Sequence, residues 1–338
     1  VRAGVVGGSG YIGGELLRLL SAHPDIEVVV VQGEASAGRT VAELHPNLRR
    51  AYPALRVSAF EPERLEGLDV VFLALGSGRA HRVVPGLLEQ VRLVVDLSAD
   101  FRLRDPDAYP RWYGFEHRAP ELLARAAYGL PELARASLAG ARLVAAPGCY
   151  VTAAALALAP LADAGVVAPD AVVVTALSGV SGAGRAVRED LHYAEVEGGA
   201  RAYAVVGHRH VPEMEQAIGR PVRFTPHLVP MTRGIVATCH ARLSDPTRDG
   251  AAVAEALRAR FAGERFVALV DEPPTTKDVA GTNEVRLWSA ADERTGFAVI
   301  VAALDNLVKG GAGQALQAAN VALGLDEGAG LEGAGLAP

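Results

Sequence analysis

Cys149 stands in APGCYVTAAALAL (146–158), between a Pro-Gly breaker and an alanine-rich apolar run. If that run is a helix, Cys149 lies at or just before its N-terminus, where the local field stabilises a thiolate and lowers the thiol pKa. Gly148 leaves space for a substrate carbonyl to approach. The setting suits a nucleophile; it also suits a packed, inert thiol, and spacing alone leaves both open. Cys239, in GIVATCHARL, sits inside an alternating strand pattern with neither breaker nor helix start, and reads as packing.

A nucleophilic cysteine needs an acid/base group, and VVGHRHVPEMEQ (205–216) offers His208 and His210. In an extended segment both rings face one way and Arg209 the other. Either histidine could shuttle a proton, and one of them could be hydrogen-bonded structure. A metal pair is the rival reading, but no third ligand stands at an obvious spacing, so no metal is expected.

Three glycine-rich elements could hold anions. GGSGYIGG (7–14) matches G-x-G-x-x-G through Gly8, Gly10 and Gly13, follows a strand, opens a helix and precedes a second strand. That context is a dinucleotide turn, with Gly7 to Gly13 (Ser9, Tyr11 and Ile12 included) around the pyrophosphate at a helix N-terminus. SGVSGAGR (178–185) follows the strand-like AVVVTAL and supplies amides, the Ser178 and Ser181 hydroxyls and Arg185, suiting a phosphate or the nicotinamide end of a cofactor. DNLVKGGAGQALQAAN (305–320) presents Asn306, Lys309 and further glycine amides. After the second strand, QGEASAGR places Glu34, Ser36 and Arg39 where an acidic residue favours NAD and Ser or Arg favours NADP. The signals conflict.

These residues need elements to position them. Runs at 3–6, 26–31, 69–75 and 92–98 read as buried strands alternating with helices over GELLRLLSAH and GRAHRVVPGLLEQ, which implies a parallel sheet with right-handed crossovers. Beyond about Cys149, the runs at 171–177, 221–229, 234–243 and 297–304 are strand-like, with AAVAEALRARF (251–261) the clearest helix. An antiparallel or mixed sheet with one exposed or interface face follows. Residues 99–131, rich in Pro, Gly and aromatics, read as a long irregular surface excursion.

The chain has 338 residues, long for one core, and half of them are hydrophobic. Its formal charge of -6 is spread without long like-charged blocks, so neither nucleic acid nor a membrane surface is the expected partner. The first ten residues read as strand and turn, not as a signal peptide. The apolar region 150–177 is interrupted by Pro160, Asp163, Pro169 and Asp170, against a membrane span. Two cysteines make no disulfide framework, and a reduced, cytoplasmic setting is expected.

GGSGYIGGELLRLL, HPNL (45–48), DLSADFRL (96–103), YGLPEL (128–133), APGCYVTAAALAL, SGVSGAGR, GHRHVPEMEQ and DNLVKGGAGQALQAAN, in that order, resemble the N-acetyl-gamma-glutamyl-phosphate reductase family of arginine biosynthesis over nearly the whole chain. The resemblance implies an α/β protein: a Rossmann dinucleotide-binding domain (1–148, with 311–338 returning to it) and an α+β catalytic and oligomerisation domain of the glyceraldehyde-3-phosphate dehydrogenase-like type (149–310). It implies Cys149 as nucleophile, with His210 ahead of His208 as acid/base. Arg102 and Arg185 are implied for the phosphoryl or carboxylate groups of a small acyl phosphate. Asn306 is implied near the nicotinamide carboxamide, and Ser178, Gly179 and Gly182 of SGVSGAGR are taken with it as cofactor-binding candidates. NADP is the expected cofactor, supported by Ser36 and Arg39, while Gly33-Glu34, standing where many relatives carry an S-R pair, keeps NAD open. The tail after Gly324 is similar to the family's ending, so Leu331 and Leu336 are expected to pack. Dimers or tetramers are expected. The alternatives are a reductase of carrier-bound aminoadipyl phosphate in lysine synthesis, a cysteine hydrolase, and a non-catalytic dinucleotide-binding regulator.

Overall fold

The computed structural model describes residues 1–245 and 247–336, and these form two compact units. One comprises Val1–Pro147 with Gly311–Gly333, the other Gly148–Gly310 with the chain from Ala334.

In the first unit the apolar runs become parallel strands: β1 (Arg2–Val6), β2 (Glu27–Gln32), β3 (Val57–Ser58), β4 (Val70–Leu73), β5 (Leu93–Asp96), β6 (Ala127–Tyr128) and β7 (Leu143–Ala145), in the order β3-β2-β1-β4-β5-β7-β6. All four residues of β4 and of β5 are buried, as strands covered on both faces require. The reversal of strand order beside β1 is the switch point at which open α/β sheets bind ligands, and the glycine turn follows β1 there.

Residues 99–131 differ from the surface excursion expected of them. Phe101, Leu103, Tyr109, Ala119, Leu122 and Leu123 join the same buried cluster as β4 and β5. The Tyr109 hydroxyl donates to Leu103 O and accepts from Leu103 N, and its ring packs on Phe115 and His117. Aromatic side chains closing on one another give an irregular backbone a core of its own.

The second unit carries β8 (Val172–Gly179), β9 (Arg201–Ala202), β10 (Val222–Val229), β11 (Ile235–Arg242), β12 (Val267–Leu269), β13 (Val285–Asp292) and β14 (Phe297–Leu304), a mixed sheet in the order β12-β13-β14-β11-β8-β10-β9. One face, with Val174, Ala176, Ala237, Cys239 and Ile300, is buried; the helix Cys149–Asp163, buried from Tyr150 to Ala162, packs against β11 and β14. Along the other face Leu177, Val236, Trp288, Val299 and Val301 stay partly exposed. Period-two alternation produces that division.

Leu331 is buried within the first unit, whereas Leu336 is 61% exposed, its backbone N–H donating to Ala280 O at 2.8 Å and its side chain lying over Gly281. Residues 337 and 338 lie outside the described residues. Among those described, no helix is long and apolar enough to cross a membrane.

Candidate active site

Cys149 opens the helix Cys149–Asp163. Gly148 is its extended N-cap, with no side-chain cap and no acidic residue in the first turn, so the helix start presents amides to whatever approaches the thiol. Three close approaches fix the turn. The Gly148 N–H donates to Oε1 of the fully buried Glu213 at 3.0 Å. A Cβ on Gly148 would lie 2.6 Å from His210 Nε2, so the imidazole rests on the turn itself. A Cβ on Gly310 would lie 2.8 Å from the Cys149 Cβ, and glycine there gives the nucleophile its room.

The two histidines divide by environment. The His210 backbone N–H donates to His208 Nδ1 at 3.1 Å, so the proton of a neutral His208 sits on Nε2. Burial, with Arg209 adding, lowers the His208 pKa to about 4. Its ring is boxed by Tyr150, Tyr203, Phe224 and His210. The Tyr203 and Tyr150 hydroxyls bond at 3.2 Å, and Tyr150 donates on to His227 O at 3.4 Å. Cys149, Tyr203, His208, His210, Ser178 and Gly182 line one cavity of about 700 Å³. Cys239 is elsewhere: burial pushes its thiol up to about 12, the environment of an inert thiol.

The SGVSGAGR element is a turn braced from beneath. Asn306 accepts from Gly234 N at 2.7 Å through Oδ1 and donates through Nδ2 to Ser181 Oγ at 3.0 Å. Ser178 Oγ donates to Gly179 O at 3.0 Å. A Cβ on Gly179 would meet the backbone of Thr232 and Arg233 at 2.8 Å, and one on Gly182 would stand 3.1 Å from Ser178 Oγ. Arg185 is exposed and lies outside the lining of the Cys149 cavity. Asp305, fully buried, gathers the amides of Gly281, Leu307 and Val308 and the Arg233 guanidinium.

In the first unit the dinucleotide turn can be tested glycine by glycine. Gly7 is left-handed (φ 86°), and a Cβ there would lie 2.2 Å from Ala74 O. Gly8 has no room against Val31 nor Gly13 against Gly7 O, at 2.4 and 2.3 Å. Gly10, the extended N-cap of the helix Tyr11–Leu20, has only Gly7 O near it, at 3.7 Å, with no side-chain cap and no acidic side chain in the first turn. An uncapped helix start behind a glycine cradle fits a pyrophosphate. His45 of HPNL braces the turn, its Nε2 donating to Gly8 O at 2.8 Å.

At the end of β2, Glu34 is exposed and accepts from Phe60 N at 3.0 Å, while Ser36 is buried and donates inward to Gly33 O at 3.2 Å. Arg39 is exposed, one nitrogen donating to Glu43 O at 3.3 Å. Arg102 is half-buried, with Nε on Ala146 O at 2.8 Å and Nη2 on Leu97 O at 3.0 Å, joining the chain just past β5 to the chain just past β7. Beside it Asp96, wholly buried, has its carboxyl pushed up to about 7 by burial and then by Asp100, although Ser98 donates to both of its oxygens.

Comparison with known proteins supplies the family. The semialdehyde dehydrogenase NAD binding domain model matches residues 2–141, and the semialdehyde dehydrogenase dimerisation domain model matches 149–306. N-acetyl-gamma-glutamyl-phosphate reductase of Symbiobacterium thermophilum is 47% identical, over 99% of this chain and 98% of that protein. The Halorhodospira halophila protein of the same name is 48% identical over the full length of both. The chain belongs to the N-acetyl-gamma-glutamyl-phosphate reductase family. Among solved structures, aspartate semialdehyde dehydrogenase II of Vibrio cholerae, complexed with ASA, superposes with a TM-score of 0.71 at 18% identity, covering 95% of this chain and 98% of that one. The Candida albicans aspartate semialdehyde dehydrogenase with NADP gives 0.68 at 17%, covering 95% and 97%. At such identities the likeness is one of fold. Glu213 and Asp305, which hold the turns around Cys149 and Asn306, and the Tyr150–Tyr203 pair, which lines the Cys149 cavity, are residues that sequence reading passed over. The signal for Glu213 was its place one helical turn beyond His210.

Proposed function

We propose that the protein catalyses NADPH-dependent reductive dephosphorylation of N-acetyl-gamma-glutamyl phosphate to N-acetylglutamate semialdehyde. The observation that carries this reading is the seating of Cys149 at an uncapped helix start, with the His210 imidazole against the preceding glycine. His210 Nε2 takes the thiol proton. The thiolate attacks the acyl-phosphate carbon, the C–O bond to phosphate breaks and phosphate leaves, giving a thioester. Backbone amides at the helix start hold the oxyanion, and His208, neutral and protonated at Nε2, donates to the same developing charge. A nicotinamide cofactor, when bound, would supply the hydride that reduces the thioester carbon. The proton held at His210 Nε2 can pass to the thiohemiacetal oxygen and is taken back by the same nitrogen as the C–S bond breaks, which releases the semialdehyde and regenerates the thiolate.

The residues of the first unit fit the dinucleotide. Gly7 to Gly13 would hold its pyrophosphate, and Arg39, exposed beyond β2, would meet the 2′-phosphate, with Glu34 engaged on Phe60 N. Ser178, Gly179 and Gly182 would border the nicotinamide, with Asn306 as the brace of that turn. Arg102 and Arg185 remain the candidates for the substrate's phosphoryl group. The half-exposed face of the second sheet is the surface a second copy would cover, giving a dimer or tetramer, and a thiol nucleophile suits the reducing cytoplasm.

The test is phosphate-dependent reduction of NADP by N-acetylglutamate semialdehyde, assayed beside NAD and a Cys149→Ser control. Turnover only with a carrier-bound aminoadipate semialdehyde would transfer the reading to the lysine-type reductase. Absence of any nicotinamide reduction would leave the hydrolase or the non-catalytic regulator.

A further inference from the structure

The cavity that opens on Cys149 carries charge that the mechanism above does not use. Arg188, Asp190 and Arg201 line it together. Arg188 donates from Nε to Asp190 Oδ1 at 3.0 Å and from Nη2 to Oδ2 at 2.7 Å, and Arg201 donates from Nη2 to Oδ2 at 2.6 Å. The two arginines belong to separate segments, the loop after SGVSGAGR and the edge strand β9, and Asp190 gathers both. Facing two guanidinium groups, its carboxyl is held below the usual range and stays ionised.

The cluster keeps one net positive charge, and Arg209 adds another to the same lining. Arg201 Nε and Nη1, and Arg188 Nη1, make no hydrogen bond among the described residues. Unused guanidinium donors on a cavity wall suit a planar oxyanion. With Arg188 and Arg201 about half exposed, the ion pairs add little to stability, so stability does not explain three charges gathered beside a nucleophile. Between β9 and His208 the chain also passes through Ala204, left-handed at φ 44°, a strained turn on the same lining.

We propose that Arg188 and Arg201, spread on Asp190, form the subsite for the carboxylate that the substrate carries at the end remote from its acyl phosphate. The inference rests on the function proposed above, in which the substrate is an N-acylated amino acid with a free α-carboxylate. Asp190 is the positioning residue: it holds two forks side by side and leaves their remaining donors to the ligand.

The experiment compares N-acetylglutamate semialdehyde with its α-carboxamide in the phosphate-dependent direction, for wild type, Arg188→Gln and Arg201→Gln. Wild type is expected to favour the free acid, and each variant to raise KM for the acid about tenfold or more while changing KM for the amide little, so that the preference collapses. Arg201→Lys, which keeps the charge but not the fork, is expected to recover part of it. Variants that retain the wild-type preference overturn the subsite. If wild type turns over neither compound, the functional reading has failed instead, and the subsite is read from protection of Cys149 against iodoacetamide. Protection by N-acetylglutamate that exceeds that by its α-amide in wild type, and is lost in the variants, upholds it; equal protection across all proteins overturns it.

Discussion

His208 and His210 stand two residues apart with ring centroids at 4.8 Å, yet their surroundings give them different chemistry. His208, with its pKa lowered to about 4 and Nδ1 committed to the His210 amide, is uncharged at neutral pH. His208→Asn is therefore expected to lower kcat/KM by roughly 10²-fold without changing the shape of the pH profile, whereas His210→Asn removes the limb that reports the base. Burying His208 also couples to stability. Its folded pKa lies below the unfolded value of 6.5, so its contribution is present above that pH and is lost as pH falls toward 4. The thiols separate in the same way: iodoacetamide is expected to label Cys149 in the folded protein and Cys239 only after denaturation, by peptide mass mapping. Labelling of native Cys239 would contradict its assignment to packing. The sequence left Cys149 open between packing and chemistry because spacing does not report what approaches a turn; Glu213, His210 and Gly310 do so from 64, 61 and 161 residues away.

At the scale of elements, periodicity made the buried strands and the two sheet types legible, because burial on one or two faces leaves a direct imprint on the apolar pattern. Residues 99–131 were opaque for the opposite reason: Tyr109, Phe115 and His117 form a core by ring contacts, which have no period. The end of β5 and the turn after it, with Asp96 and Asp100, yield a prediction. A buried carboxyl raised to about 7 makes the native state bind the extra proton, so it costs stability as pH rises from about 4 to 7. Asp96→Asn is expected to flatten that part of the stability–pH curve, measured by denaturant unfolding; an unchanged slope would contradict it. Close approach at Gly310 sets another test. Gly310→Ala is expected to slow Cys149 alkylation and to lower kcat while leaving KM for phosphate near wild type, since the added methyl meets the cysteine Cβ rather than the cavity.

For the whole molecule, motif order pointed to a nucleotide-binding unit followed by a catalytic unit; the family models that match are a NAD binding domain over 2–141 and a dimerisation domain over 149–306. Cofactor choice was not legible, because Glu34 pulls against Ser36 and Arg39; in the fold Glu34 accepts from Phe60 N and Ser36 donates inward to Gly33 O. Arg39→Glu is expected to raise KM for NADP about tenfold or more and KM for NAD little, by steady-state kinetics. The central claim, covalent acyl transfer to Cys149 coupled to hydride transfer, is tested most directly by mass spectrometry of the protein mixed with N-acetyl-gamma-glutamyl phosphate in the absence of NADPH. The account predicts an N-acetylglutamyl adduct on the Cys149 peptide that disappears on adding NADPH as the semialdehyde forms. Formation of semialdehyde at the wild-type rate by Cys149→Ser, or an adduct on any other residue, would contradict it.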